Sequence, residues 1–222
     1  MIGAPFANRR EAGEALAGEV RRLGLHDPVV LALPRGGVPV GYEVARAIGA
    51  PLDILVVRKI GAPGHEEFGI GALVEGASPQ LVLDEAAVRA TGANRDYIAR
   101  QVALQLKEIE RRRAAYRIGP PIKLDDKTVV VVDDGIATGG TVRAALQALA
   151  KIPCRRIVLA VPMAPRDVLP SLRALCDEVV CPYTPEPFLA VGAHYRDFTQ
   201  TSDEEVIDLL AAARSAAKAG SA

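Results

Sequence analysis

Four consecutive valines, residues 129–132, run directly into Asp133 and Asp134 and then into Gly135, Ile136, Ala137, Thr138, Gly139, Gly140 and Thr141. An unbroken β-branched run reads as a strand buried on both faces, which calls for a parallel sheet covered on either side by helices. Small residues between such a strand and a helix let backbone N–H groups turn toward one point. That point suits a phosphate, helped by the helix N-terminus. Two acids set just before an anion cradle need a different partner: sugar hydroxyls, or a metal riding on the phosphates.

The rest of the chain repeats the strand–helix alternation. Residues 8–23 predict an amphipathic helix with Asn8 as cap, Glu11 at the capping-box position, and Ala12, Leu16, Val20 and Leu23 on one face. Residues 28–33 predict a strand, 38–48 a helix ended by Gly49, and 52–57 a second strand followed at once by Arg58 and Lys59. Residues 61–69, rich in Gly and polar groups, predict a mobile loop. Two short strands follow, at 70–75 and 81–84, and then a long helix over 97–116. In that helix Glu108 and Arg112 form an i,i+4 pair, and the run Arg111, Arg112, Arg113 reads as a solvated helix end.

After the valine strand come a helix over 141–150, a strand at 156–163, a helix at 166–175 and a strand at 178–181. Residues 182–198 are irregular, stiffened by Pro182, Pro185 and Pro187. Ser202 caps a last helix, to about 217, with Glu205 at its capping-box position and an Ala-rich, fraying end. The expectation is one domain over residues 1–222: α/β, three layers, with a central mostly parallel sheet and a small appendage.

Composition narrows the partners. Twenty-seven basic and 27 acidic residues leave no net charge, which argues against nucleic acid or an anionic membrane as the main partner. No run approaches a membrane span, and no apolar leader marks the N-terminus. Cys154, Cys176 and Cys181 fit no zinc spacing and read as reduced, packed thiols, so a cytoplasmic location is expected.

In an open α/β sheet, ligands gather beyond the C-terminal ends of the strands. Three predicted strand ends carry suitable groups: Arg35, Gly36 and Gly37; Arg58 and Lys59; and the two acids with their loop. Two cationic ends beside an anion cradle and two acids suggest a ligand with separate phosphates and a polyol between them. The loop lacks the Lys of a Walker A motif, and the G-x-G-x-x-G spacing of a Rossmann fingerprint is absent.

The stretch VVVVDDGIATGGT resembles the phosphoribosyl-pyrophosphate (PRPP) signature of type I phosphoribosyltransferases, with a loop most similar to that of the adenine enzymes. The resemblance covers about residues 25–200 and implies that family's fold, with a flexible loop at about 60–80 and a hood at about 182–200. It implies that Asp133 and Asp134 bind the ribose hydroxyls and meet Mg²⁺ mainly through PRPP and water. It also implies that the loop of Gly135, Ile136, Ala137, Thr138, Gly139, Gly140 and Thr141 wraps the 5′-phosphate.

Arg35, Gly36 and Gly37 look like the family's pyrophosphate loop, and Arg58, Lys59 and His65 are similar to the Arg-Lys…His pattern of the orotate enzymes. The hood would hold the accepting base, with Tyr183, Phe188 and Asp197 as its candidates; residues 188–192 resemble the hood of hypoxanthine-guanine enzymes. For Tyr183, Phe188 and Tyr195, stacking on a base and packing of the hood both stand as readings, and His65 reads equally as a solvated surface residue. Where hypoxanthine-guanine enzymes carry an acid in the loop, this chain has Ala137, which weakens a 6-oxopurine assignment.

What the resemblance implies is a Mg²⁺-dependent transferase of nucleotide salvage, working as a homodimer. It would move phosphoribosyl from PRPP to a nitrogenous base, a purine or related base being the expected acceptor. Arg35, Arg58 and Lys59 would neutralise departing pyrophosphate, while the acids and loop hold the ribose in line. The second reading is a regulator that keeps the fold to sense PRPP or a nucleotide. The cations at 58–59 and the expected mobile loop favour turnover.

Overall fold

The computed structural model describes residues 5–75, 79–116 and 122–219. Asn8 starts the first helix, α1 (Arg9–Arg22), by accepting from the Glu11 N–H at 3.0 Å, while the Glu11 carboxylate reaches back to the Ala7 N–H. The reciprocal bonds of a capping box therefore form, displaced by one residue at the outer end. Asn8→Ala is expected to lower stability by about 1 kcal/mol in urea denaturation, since a cap of this kind satisfies one orphan helix donor.

The chain then forms β1 (Pro28–Ala32), α2 (Gly37–Ile48) and β2 (Leu52–Ile54), with Gly49 closing α2 in the left-handed conformation. β3 (Val57–Ala62), β4 (His65–Val74) and β5 (Gln80–Leu83) follow, then α3 (Glu85–Thr91) and the long α4 (Arg95–Tyr116). β6 (Thr128–Val132), α5 (Gly140–Leu149), β7 (Arg156–Ala160), α6 (Leu169–Arg173) and β8 (Glu178–Val180) complete the alternating part. A 3₁₀ turn (Val191–His194) precedes α7 (Asp203–Ala219), which Ser202 caps by accepting from the Glu205 N–H at 3.1 Å.

Five strands pair in the order β2-β1-β6-β7-β8, all parallel. Alternation along the strands sends Val30, Ala32, Val130, Val132, Val158 and Ala160 to one face, where Leu16, Val44, Ile109 and Leu210 of α1, α2, α4 and α7 cover them. Val29, Leu31, Val129, Val131 and Leu159 face Leu146, Leu149 and Leu172 of α5 and α6. This is the three-layer α/β arrangement the valine run demanded. Each fully buried Val or Leu contributes about 1.5–3 kcal/mol of transfer free energy.

The second sheet departs from expectation. The apolar run at 52–57 is split: β2 ends at Ile54, and after Leu55 and Val56 the chain enters an antiparallel sheet ordered β3-β4-β5. The stretch at 61–69, expected as a mobile loop, is the turn and outer arm of the β3–β4 hairpin, with register irregularities at Ile60/Gly61 and Gly61/Ala62. The turn expected at 76–79 falls largely outside the described residues. α3 was not expected; Asp84 caps it through the Ala86 and Ala87 N–H groups. α6 begins at Leu169, not 166, and β7 stops at Ala160, not 163.

Only Arg111 of the triple-arginine run is the solvated helix end expected; Arg112 and Arg113 are half-buried in ion pairs. Arg111 and Arg112 each lie 2.8 Å from Glu108, whose carboxyl they hold down at about 2, and Arg113 reaches the buried Glu75 at 3.1 Å. The three cysteines are free thiols, partly buried against the α5–α6 layer, and burial pushes Cys181 up to about 11. No helix among the described residues is long and apolar enough to cross a membrane.

Candidate functional site

β1 and β6 are register neighbours, with Ala32 beside Val132, so the turn after β1 lies against the acids after β6. The approach is close. A Cβ on Gly36 would sit 2.1 Å from Asp134 Oδ2, and one on Gly37 would sit 2.8 Å from the Val132 carbonyl oxygen. The peptide between Pro34 and Arg35 is cis. Glycine at 36 thus makes room for the Asp134 carboxylate, and glycine at 37 for the backbone of Val132 and Asp133.

Asp134 is held at three points. Its N–H donates to Asp133 Oδ1 at 2.9 Å, its carbonyl accepts from the Tyr195 hydroxyl at 2.6 Å, and its Oδ2 accepts from Arg9 Nε at 2.7 Å. Burial pushes the Asp133 carboxyl well above the usual carboxylate range, and the neighbouring Asp134 charge pushes the same way. Burial also raises Asp134, against the opposing pull of Arg9. The pair is therefore an electrostatically costly arrangement that hydroxyl donors or a cation would relieve.

The loop after the acids leads into α5. Ile136 anchors it: its side chain is buried in the core and its N–H donates to the Met163 carbonyl at 3.0 Å, so neither faces a ligand. Gly139 adopts the left-handed conformation (φ 77°) at the N-cap of α5, a backbone that L side chains rarely adopt. The Gly140 and Thr141 N–H groups at the start of the helix have no helical partner, an open end of the kind that suits an anion.

The cations divide. Lys59 lines a cavity of about 450 Å³ together with Thr138, Gly140, Thr141 and Arg143, so the antiparallel sheet carries it to the loop. Arg58, the next residue back on β3, donates from Nε to Gln105 of α4 at 3.0 Å. Arg35 lies 3.4 Å from Asp203 Oδ1 at the start of α7, an oxygen that also accepts from the Tyr116 hydroxyl. His65 is exposed at the start of β4, outside the residues that line the Lys59 cavity.

A second cavity, of about 870 Å³, also borders the loop. Ala137 and Thr138 line it with Arg166, Asp167, Glu186, Phe188 and Leu189. Of the hood candidates, Phe188 lines this space and also packs 5.0 Å from the His194 ring. Tyr183 is edge-on to Phe6 and His194, and Tyr195 stacks on Phe198, so both pack the hood. Asp197 is turned to its own chain, accepting from the Thr199 N–H at 2.9 Å and hydroxyl at 2.6 Å.

The family model described as the phosphoribosyl transferase domain matches residues 7–190. The chain belongs to this family. A Mycobacterium tuberculosis H37Rv protein, Rv0571c, provisionally named a phosphoribosyl transferase, is 46% identical over 209 residues. That match covers 92% of this chain and 46% of the relative, so the chain spans about half the length of the curated relatives it matches. The crystal structure of TT1426 from Thermus thermophilus is similar at a TM-score of 0.81 and 45% identity, covering 92% of this chain and 97% of that one.

Within this phosphoribosyl transferase domain the structure brings together Gly36, Gly37, Asp133, Asp134 and the loop to Thr141, with Lys59 across a cavity from the loop. It turns Arg58 toward α4, leaves His65 on the surface and leaves Asp197 out of the residues that line the Phe188 cavity. The sequence reading missed three residues. Arg166 and Asp167 follow β7, a fourth strand end to which the same strand-end rule applied. Arg9 had no signal beyond its place beside a helix cap.

Proposed function

We propose that this phosphoribosyl transferase domain moves the phosphoribosyl group of PRPP to a nitrogenous base, a purine or related base being the first to test. One observation carries the reading: the 137–141 loop, set beside the paired acids, borders two cavities, and Thr138 lines both. The Lys59 side suits anions, with the open helix end of α5 and a cation. The Phe188 side suits a flat acceptor, with an aromatic ring, Arg166 and the acids Asp167 and Glu186. Ala137 offers the acceptor no acid, so Asp167 and Glu186 are the groups placed to exchange a proton with it.

Magnesium fits as an ion carried on the substrate. Among the described residues no group of three or more His, Cys, Asp or Glu could hold a metal ion alone. Mg²⁺ commonly takes one or two carboxylates with substrate phosphates and several waters. Asp133 and Asp134 would take that share mainly through PRPP and water, with Asp134 Oδ2 already on Arg9. When bound, the ion offsets charge on the departing pyrophosphate. The chain's own part is to fix the phosphate at α5, accept from the sugar at Asp133 and Asp134, and supply Lys59 to the anionic side.

Incubation with PRPP, Mg²⁺ and a panel of purines, pyrimidines and nicotinate-like bases is expected to release pyrophosphate and form a nucleotide with one class of base. Mass spectrometry of the products reads it. If PRPP binds but no base yields pyrophosphate, the transferase reading fails and the sensing role takes its place.

A further inference from the structure

Arg9 is the first residue of α1, directly after the Asn8 cap, and the cap bond fixes where its side chain starts. Three contacts then hold its guanidinium. Nε donates to Asp134 Oδ2 at 2.7 Å, Nη1 donates to the Thr199 carbonyl at 2.7 Å, and the Phe198 ring lies 4.0 Å from Cζ. The two side chains of the ion pair are 11% and 14% exposed. A planar fork with a stacked face is a geometry that Lys cannot reproduce.

The effect on Asp134 is specific. With Oδ2 on Arg9, its N–H on Asp133 and its carbonyl on Tyr195, that residue has one oxygen, Oδ1, in a fixed place. Gly36 leaves room for the carboxylate beside the β1 turn. A carboxylate with one oxygen tied down presents the other in a single direction, which is what selecting a hydroxyl on a rigid ring requires.

We propose that Arg9 is a positioning residue for the sugar: by holding Asp134 Oδ2 it aims Oδ1 at a ribose hydroxyl, and so makes the site select ribose over deoxyribose. The proposal rests on the reading that the two acids take the ribose. Arg9 acts through Asp134; its Nη1 is held by the Thr199 carbonyl and its face by Phe198.

The test measures binding of ribose 5-phosphate and 2,3-dideoxyribose 5-phosphate by calorimetry to the wild type, Arg9→Met and Arg9→Lys. A hydrogen bond to a charged group is expected to give the wild type a preference for ribose of about 10–100-fold. Arg9→Met should lose most of that preference by binding ribose 5-phosphate more weakly, with dideoxyribose 5-phosphate unchanged, and Arg9→Lys should recover part of it. Equal weakening for both sugars, or none for either, overturns the role of Arg9 while leaving ribose recognition standing. A wild type that binds both sugars alike overturns the ribose reading and this proposal together. Phe198→Leu guards against misfolding of the Arg9 variants: it keeps the ion pair but frees the guanidinium face, and the same preference should fall by about threefold. An unchanged preference there counts against the proposal.

Discussion

Asp133→Asn is expected to raise the melting temperature of the unliganded protein while abolishing phosphoribosyl transfer. Burial and the Asp134 charge lift the Asp133 carboxyl well above its ordinary value. A carboxyl raised in the folded state keeps its proton more readily there than in the unfolded chain. Above that raised value its ionisation costs stability, and the cost disappears as pH falls through it. The gain from Asn therefore grows as pH rises above the ordinary carboxylate range and shrinks on acidification, at about 2–4 °C for each kcal/mol relieved in a chain of this size.

Asp134→Asn should not share the gain, because it strands the Arg9 guanidinium beside a neutral amide in a place only 11% exposed. Thermal melts of both variants with chelator, from pH 6 to 8.5, decide it. A lower melting temperature for Asp133→Asn at pH 8 contradicts the electrostatic account. Retained transfer by either variant contradicts the placement of the acids at the sugar.

Gly36→Ala carries the second large effect, through a single methyl group. Its Cβ would stand 2.1 Å from Asp134 Oδ2, 2.8 Å from Cγ and 3.2 Å from Arg9 Nε. Either the carboxylate leaves Arg9 or the β1 turn leaves the acids. Overpacking of this kind costs about 1–3 kcal/mol, and affinity for ribose 5-phosphate is expected to fall by more than about 100-fold, since the one aimed oxygen is lost. Urea denaturation and calorimetry on the same sample separate the two effects. Binding within about threefold of wild type would mean that the carboxylate's exact position is not what the site uses.

The parallel sheet and the loop were legible because their signals are local and mutually consistent: an all-valine strand, a small-residue turn and a helix pattern with no competing period. Caps were legible too, at Asn8 and Ser202, since each sits three residues before its Glu. The antiparallel sheet was legible only in part: the strands expected at 70–75 and 81–84 are the inner half of β4 and β5, but the β3–β4 hairpin was not foreseen. Gly61 and Gly69 read as loop, yet in the hairpin Gly61 is a place where a Cβ would meet the backbone of the neighbouring arm at 2.4 Å. Glycine required by close approach is indistinguishable in sequence from glycine required by a turn. α3 had its signals in plain view, Asp84 as cap and Gly92 as stop, but the preceding strand claimed Asp84.

The site divides in the same way. Asp133, Asp134 and the loop lie in one stretch of chain, so their grouping could be read directly. Arg9 meets Asp134 across 125 positions, through a contact that only the packing of α1 against α2 and the 195–199 segment creates. Arg58 and Lys59 were placed together at a parallel strand end. In an antiparallel strand neighbouring side chains point to opposite faces, which separates them: Lys59 to the loop, Arg58 to α4.

The pairing of β1 with β6 joins Pro28 to Thr128, so the two halves of the candidate site lie on strands whose contact closes a hundred-residue loop. Such contacts form late, because the entropy of closing the loop must be met before the pairing returns anything. No fragment of the sheet can assemble the acids against Gly36 ahead of the rest. Ligand capture should thus appear in refolding only with the final cooperative phase, and saturating ligand should protect the amide protons of β1 and β6 together, as one unit.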